Sequence, residues 1–317
     1  MSSGLYNSAR FSSDMVNDVL DIPSKLVVVT DNNDIDREVR KFKPDVVFIE
    51  ALWVVPEKFE VLHRLHPNVQ WIVRNHSALP FVSLEGIAMD WLLRYPQFPN
   101  VRVSCNDRRT NQEFAALTNS DVIYLPNYYP SNFHSRKRHK KHKNRLNVGC
   151  FGAIRPLKNQ LLQAVAAIRY ADEKNKKLHF HINNARIECG GSPILKNIQE
   201  MFEQFPQHKL VVYPWVTREE FIHVLRHMDV SLQVAFSETF NVVTADAVMN
   251  DVPVVVSKEI SWTTWQSQVD PTSSESVMAG MELAFNRSNL RQANVEGLAN
   301  YDAESVSIWG EFLRPVP

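Results

Sequence analysis

Residues Leu146–Ala171 read LNVGCFGAIRPLKNQLLQAVAAIRYA. The opening run, Leu146–Phe151, has the composition of a buried strand. Gly152 breaks it, and from Leu157 onward apolar residues recur with the spacing of an amphipathic helix. A strand, a glycine turn and a helix are the first two-thirds of a βαβ unit. The turn carries Arg155 and Lys158 at the helix start. Free helix N–H groups beside two fixed cations suit an anion, best a diphosphate. Taken alone, the same stretch also reads as a surface helix with two ordinary basic residues.

The alternation extends in both directions. Upstream, LVVVT (Leu26–Thr30), VVFIE (Val46–Glu50), VQWIVR (Val69–Arg74), VRVSC (Val101–Cys105) and VIYLP (Val122–Pro126) predict buried strands. Between them DIDREVRKF, PEKFEVLHRL and DRRTNQEFAAL predict helices. Downstream, LHFHIN, LVVYP, DVSLQV and VPVVVS predict strands, and REEFIHVLRHM and AESVSIWGEFL predict helices. Near-continuous apolar strands alternating with helices imply parallel sheets covered on both faces. Between the two series lies PNYYPSNFHSRKRHKKHKNR, rich in proline, tyrosine and base and without periodicity. The expected fold is α/β: two doubly wound, Rossmann-like domains facing across a cleft. The first covers 1–126, a basic linker 127–146 and the second domain 147–300. A last helix within 301–317 is a candidate to cross back to the first domain. Ligands belong at the carboxyl ends of the strands.

A chain of 317 residues, 44% hydrophobic and 22% charged, has the balance of a globular protein of two domains. It has no long uncharged apolar stretch for a membrane span, and MSSGLYNSAR lacks a signal-peptide core. Cys105, Cys150 and Cys189 form no CxxC pair or disulfide framework. The expectation is a cytoplasmic protein with reduced thiols. The 35 basic and 35 acidic residues balance, but Ser135–Arg145 alone holds seven lysines and arginines. Charge segregated in this way often marks an interaction segment.

Two further stretches fall at strand ends of the second domain. SETFNVVTADAV places Glu238 before a helix start at Asn241 and Asp246 about two turns in. The N–H groups of Thr239, Phe240 and Asn241 are placed to meet a phosphate oxygen. Carboxylates are good acceptors for vicinal hydroxyls of a ribose or hexose. Glu238 also reads as a charge complementing the helix dipole, and Asp246 as a solvated residue, although VVTADAV is an apolar setting. Trp215, ending VVYPW, reads either as a nucleobase neighbour or as core. In the first domain RNHSALPF puts His76 just past a strand, as a site residue or a structural histidine. His63 and His66 have helical spacing, and His179 and His181 alternate along a strand. Neither pair has an evident third ligand, and no metal site is expected.

GAIRPLKNQ followed by SETFNVVTADAVMNDVPVVVS resembles the C-terminal domain of the family 4 glycosyltransferases, of the GT-B fold, over roughly 146–257. The resemblance implies a retaining enzyme that takes its sugar from a nucleotide-sugar, a UDP-sugar in the first instance, and needs no bound metal. It implies that Arg155 and Lys158, with 239–241, bind the diphosphate. It implies further that Glu238 holds donor-sugar hydroxyls, that Asp246 holds the ribose, and that His76 faces the donor sugar, making His76 and Glu238 the candidate catalytic pair. The chain departs from the pattern in three places: Ala153 stands where the family arginine follows the glycine, Asp246 replaces a glutamate, and ETFN replaces a glycine-rich turn.

SGLYNSARF looks like the loop and helix that follow the first strand of such a domain, and that strand is missing. Together with EALWVVPEKF and the RNHS turn, it also resembles bacteriophage-encoded glycosyltransferases, some of which modify hydroxymethylated pyrimidines in DNA. That resemblance implies a DNA acceptor and, for a phage-encoded chain, the host cytoplasm. Arg136, Lys137, Arg138, Lys140, Lys141, Lys143 and Arg145 then become candidate phosphate contacts, with Tyr128 and Tyr129 available to stack on a base. The same run also reads as a solvated linker. The other functions open at this level are a glycosyltransferase for a saccharide or small molecule and a non-catalytic nucleotide- or DNA-binding protein of the same fold.

Overall fold

The structure, a computed structural model, describes residues 3–118, 120–130 and 142–314. The chain forms two compact units: Met1–Pro130 with Tyr301–Pro317, and Ser131–Asn300.

The first unit opens with α1 (Ser3–Asp18) and α2 (Asp34–Phe42), then runs β1 (Val46–Glu50), α3 (Pro56–Leu65), β2 (Gln70–Asn75), α4 (Leu79–Val82), α5 (Ala88–Arg94), β3 (Val101–Cys105), α6 (Arg108–Thr118) and β4 (Ile123–Tyr124). Its sheet has the order β1-β2-β3-β4 and is parallel throughout, with Val47 opposite Trp71 and Val73 opposite Val103. Strand side chains alternate between faces. Trp71, Val73 and Val103 accordingly pack with Phe59, Leu92 and Phe114, while Ile72 turns to the opposite face, where Met15, Leu125 and Trp309 lie. Helix α3 starts where Pro56 sets the first helical φ, and it buries Phe59 and Leu62 three residues apart.

LVVVT does not form the strand that its composition predicts. Residues 21–29 carry no strand or helix, and Val28 is 52% exposed. Val29 packs against the core and Lys25 pairs with Glu38 at 3.7 Å. An apolar run reports burial of one side of the chain; it does not supply a ladder partner, and none forms here.

The second unit contains β5 (Arg145–Gly149), α7 (Gln160–Glu173), β6 (Lys177–Asn183), α8 (Ser192–Gln204), β7 (Lys209–Tyr213), α9 (Arg218–Leu225), β8 (Val230–Gln233), α10 (Val242–Met249), β9 (Val254–Ser257), β10 (Gln268–Val269) and α11 (Ser274–Asn286). Helix α12 (Asn289–Leu313) begins here and ends in the first unit. The strand order is β10-β9-β8-β5-β6-β7, all parallel. From β5 the chain builds outward to β6 and β7, then returns to the other side of β5 for β8. The carboxyl ends of β5 and β8 therefore flank a topological switch point, where the crevice of an open α/β sheet lies. Among the described residues no helix is long and apolar enough to cross a membrane.

Trp309 is 1% exposed, donates from Nε1 to the Pro126 carbonyl at 2.9 Å, and lies against Phe48 at 5.0 Å between ring centroids. Truncating a buried tryptophan costs about 3–5 kcal/mol. Trp309→Ala is expected to lower the stability of the first unit by that amount, read as a shift of its denaturant midpoint. A midpoint within error of the wild type would show that the end of α12 is not part of that core.

Candidate functional site

The turn after β5 is fixed by its own backbone and by buried amides. Gly152 has φ +120, a region that a side chain disfavours, and its N–H donates to Asn183 Oδ1 at 2.8 Å. Arg155 is extended, Pro156–Lys158 make one 3-10 turn, and Asn159 at φ 58 begins α7. The strand after the switch point is joined to this turn. Gln163 accepts from Val234 N–H at 3.0 Å and donates to the Lys158 carbonyl at 2.8 Å. Asn159 donates to the carbonyls of Val234 and Pro271, and Phe236 N–H donates to the Leu157 carbonyl at 2.9 Å. Gln233 donates to the Phe151 carbonyl and accepts from Asn241 Nδ2 at 3.0 Å. Buried amides must find partners, and these find them between the two strand ends that flank the crevice.

Three ion pairs stand on this frame. Lys158 pairs with Glu238. Burial raises the Glu238 carboxyl, but the Lys158 charge overcomes this and holds it below the usual range. Glu238 also accepts from Asn241 Nδ2 at 2.8 Å. Arg155 pairs with Glu188 at 2.8 Å, and Glu188 is bound on its other oxygen by Arg186 at 2.7 Å. Asp246, 2% exposed, receives a two-pronged bond from Arg218 at 2.6 and 3.1 Å. Arg218 opens α9 immediately after Thr217, which with Glu220 forms a capping box.

The residues singled out at 238–241 lie together at the start of α10. Asn241 sits at φ 57 and caps the helix, accepting from Thr244 N–H at 2.8 Å. Thr239 N–H lies 3.2 Å from Glu238 Oε1, and Phe240 is buried against Trp262. Asp246 lies in α10 within the same unit, fixed by α9. Trp215 stands two residues past β7 and is 51% exposed, so it is not core. Sequence reading missed Glu188, Arg218, Gln233 and the Asn159–Gln163 pair. The capping box Thr217-x-x-Glu220 was a legible signal for the helix start that aims Arg218. The irregular stretch around Glu188 offered none.

His76 belongs to the first unit, one residue past β2. Its Nε2 is 2.7 Å from Glu50 Oε2, and Arg74 is 2.7 Å from Glu50 Oε1. Burial raises the Glu50 carboxyl, yet Arg74 and His76 together bring it down to about 2. Among the other histidines, His66 bonds Asp36 at 2.8 Å, His63 lies against Phe98, and His181 stacks on Tyr213. Among the described residues no cluster of three His, Cys, Asp or Glu side chains could hold a metal ion. Of the basic candidates, Arg136, Lys137, Arg138, Lys140 and Lys141 lie outside the described residues. Lys143 is exposed, and Arg145 opens β5 at the end of the sheet opposite the crevice.

The Glu50 carboxylate gives a pH test. Its folded value lies below its ordinary 4.5, so its contribution is present above pH 4.5 and is lost as pH falls toward about 2. Glu50→Gln removes that titration. The stability gap between wild type and variant, from urea unfolding at pH 6, 4 and 3, is expected to narrow with acidification. A gap of constant size would mean that the charge of Glu50 adds nothing.

No family profile matches the chain, and no curated protein matches it in sequence. Solved structures do resemble it. A UDP-forming α,α-trehalose-phosphate synthase from Burkholderia xenovorans aligns with a TM-score of 0.64 at 12% identity, over 89% of this chain and 76% of that one. The trehalose-6-phosphate synthase OtsA aligns at 0.66 and 11%, over 98% and 82%. The S. aureus protein TarM, solved as a point mutant with fondaparinux, α-GlcNAc-glycerol and UDP, aligns at 0.64 and 13%, over 88% and 57%. At these identities the likeness speaks for architecture: the chain has the α/β fold of the GT-B type, built from two Rossmann-like domains.

Proposed function

We propose that the crevice of the second unit binds the diphosphate of a nucleotide-sugar and that the chain is a retaining glycosyltransferase. The observation that carries this is the pairing of Lys158 with Glu238 and of Arg155 with Glu188 beside the starts of α7 and α10. Each cation already holds an anion. A diphosphate takes the place of those carboxylates on the two cations, Glu188 keeping Arg186 and Glu238 keeping Asn241 Nδ2, and it gains helix N–H groups nearby. Glu238, released from Lys158, becomes an acceptor for sugar hydroxyls. Asp246, aimed by Arg218, is the acceptor for the ribose, and exposed Trp215 is a surface for the base. UDP is the nucleotide we favour, because it is named with TarM and in the description of the Burkholderia enzyme.

In the reaction the bond between the sugar's anomeric carbon and the leaving phosphate oxygen breaks. A new bond to the acceptor oxygen forms on the same face, and the acceptor proton passes to the leaving phosphate. Lys158 and Arg155 stabilise the charge that develops there. A similar trehalose-6-phosphate synthase structure is described as one of glycosyltransfer with retention, in keeping with this stereochemistry. His76, oriented by Glu50, is the residue we assign to the sugar from the first unit.

For the acceptor we favour the hydroxymethyl group of a modified pyrimidine in phage DNA, which places the chain in the host cytoplasm. A saccharide acceptor is the second reading, favoured by the carbohydrate-linked descriptions of the similar structures. Mass spectrometry of hydroxymethylated DNA and of a saccharide panel, each incubated with the protein and a mixture of sugar donors, separates the two. The donor reading fails if no donor is either transferred or hydrolysed.

Lys158→Ala is expected to lower kcat/KM roughly tenfold to a hundredfold, the weight of a charge-assisted hydrogen bond of about 1.5–3 kcal/mol. Unchanged kcat/KM would remove Lys158 from the site. His76→Ala is expected to impair use of the sugar donor while leaving affinity for the bare nucleoside diphosphate intact. Unchanged turnover would make His76 a structural histidine.

A further inference from the structure

The sheet of the second unit is dressed unequally on its two faces. Leu146 and Val148 of β5, Leu178, Phe180 and Ile182 of β6, and Leu210 and Val212 of β7 all belong to the apolar core. Alternation turns the intervening residues to the opposite face: Arg145 and Asn147, then Lys177 and His179, then Lys209. In register, Arg145 lies opposite Lys177, and His179 lies between Asn147 and Lys209. Neighbouring strands are about 4.8 Å apart, so three cations and an imidazole share one corner at the amino end of the sheet. Like charges placed opposite each other oppose strand pairing.

Lys177 and Lys209 are exposed, and no ion pair among the described residues involves Lys143, Arg145, Lys177 or Lys209. Arg145 Nε is buried without a hydrogen-bond partner. Asp229, leading into β8, is buried, and its carboxylate accepts from the Asn147 amide at 2.8 Å. Burial first, and then Arg145 and Lys209, push His179 below its ordinary range. The chain leading in from 131 to 141 reads SNFHSRKRHKK, with five lysines and arginines and no acid. By sequence it adds to the charge.

We propose that this face, Lys143, Arg145, Lys177, His179 and Lys209 at the amino ends of β5, β6 and β7, binds the phosphodiester backbone of DNA. It is separate from the donor crevice, which lies at the carboxyl ends of the same sheet. A phosphodiester chain carries one negative charge per nucleotide at a spacing that a row of strand-end cations can meet, and binding releases its counterions. The proposal rests on the DNA-acceptor reading for its choice of polyanion. It gives the two ends of one sheet different tasks: one end holds the donor, the other grips the substrate.

The test measures binding of a labelled DNA duplex by fluorescence anisotropy across a salt series, for the wild-type chain and for Lys177→Ser/Lys209→Ser. Both substitutions fall on exposed strand starts, and the thermal midpoint checks that the fold is kept. The expected result is weaker binding and a plot of log K against log salt flattened by about 1.8, from roughly 0.9 per phosphate contact. A wild-type slope in the double variant overturns the proposal, as does a wild-type chain that does not bind the duplex. Binding a sulfated oligosaccharide of equal charge as tightly as the duplex overturns the assignment to DNA. Hydrolysis of a UDP-sugar, which the two lysines leave unchanged, reports on the donor reading separately. If hydrolysis is absent while the salt slope behaves as expected, the donor reading falls and the surface stands.

Discussion

A guanidinium with 1% of its surface exposed has to be neutralised where it lies, and the first unit is arranged around that requirement of Arg74. Glu50 supplies the charge from the neighbouring strand at 2.7 Å. The Leu125 carbonyl and Asn127 Oδ1 accept at 3.3 and 3.4 Å from the segment that follows β4. The indole of Trp309 lies under the guanidinium at 4.9 Å, a cation–π contact from α12. Three pieces of chain far apart in sequence thus meet on one side chain. Since Glu50 also holds His76, the carboxylate that neutralises Arg74 orients the histidine just past β2.

The second unit solves a different problem by a different chemistry. At its switch point buried neutral amides, Asn159, Gln163, Gln233 and Asn241, bond across the gap between the ends of β5 and β8. The charges beside them are held in pairs, and two of them, Glu238 and Asp246, are themselves buried. A buried amide network fixes a geometry and costs little once every group is satisfied, whereas a paired cation is a group for which a bound anion would compete. On the proposed reading the amides supply the rigidity, and the paired cations the charge, that preorganised anion recognition needs.

Much of this was legible in the sequence, for physical reasons that differ by element. DIDREVRKF and PEKFEVLHRL gave their helices to the residue, because proline at a first position and apolar residues at helical spacing act locally. The turn from Gly152 to Lys158 was legible because a glycine between an apolar run and an amphipathic one has few other readings. LVVVT misled because its composition speaks of burial and not of a ladder. The short strand Gln268–Val269 has too little sequence to carry a period. At the site, Arg155, Lys158 and Glu238 could be named from the turn and helix start. Glu188, the partner of Arg155, and Arg218, the partner of Asp246, could not be named as partners, since an ion pair joining residues tens of positions apart leaves no local trace. Asp246 was visible as an acid in apolar surroundings, a setting that demands a partner without saying which.

One helix has a consequence for how the protein comes into being. Residues 301–314 complete the first unit, yet they are the last described part of the chain to leave the ribosome. Domains generally fold as they are synthesised, amino-terminal first. Here the first unit is completed only by the segment made last among the described residues. Until Trp309 emerges, Arg74 lacks its aromatic floor, and the face carrying Ile72 and Leu125 has only the cover of Met15, Val16 and Leu20. The second unit, contiguous in sequence, can finish first. The nascent first unit must wait with a partly open apolar face through the synthesis of an entire domain, so it is there that a chaperone has most to protect.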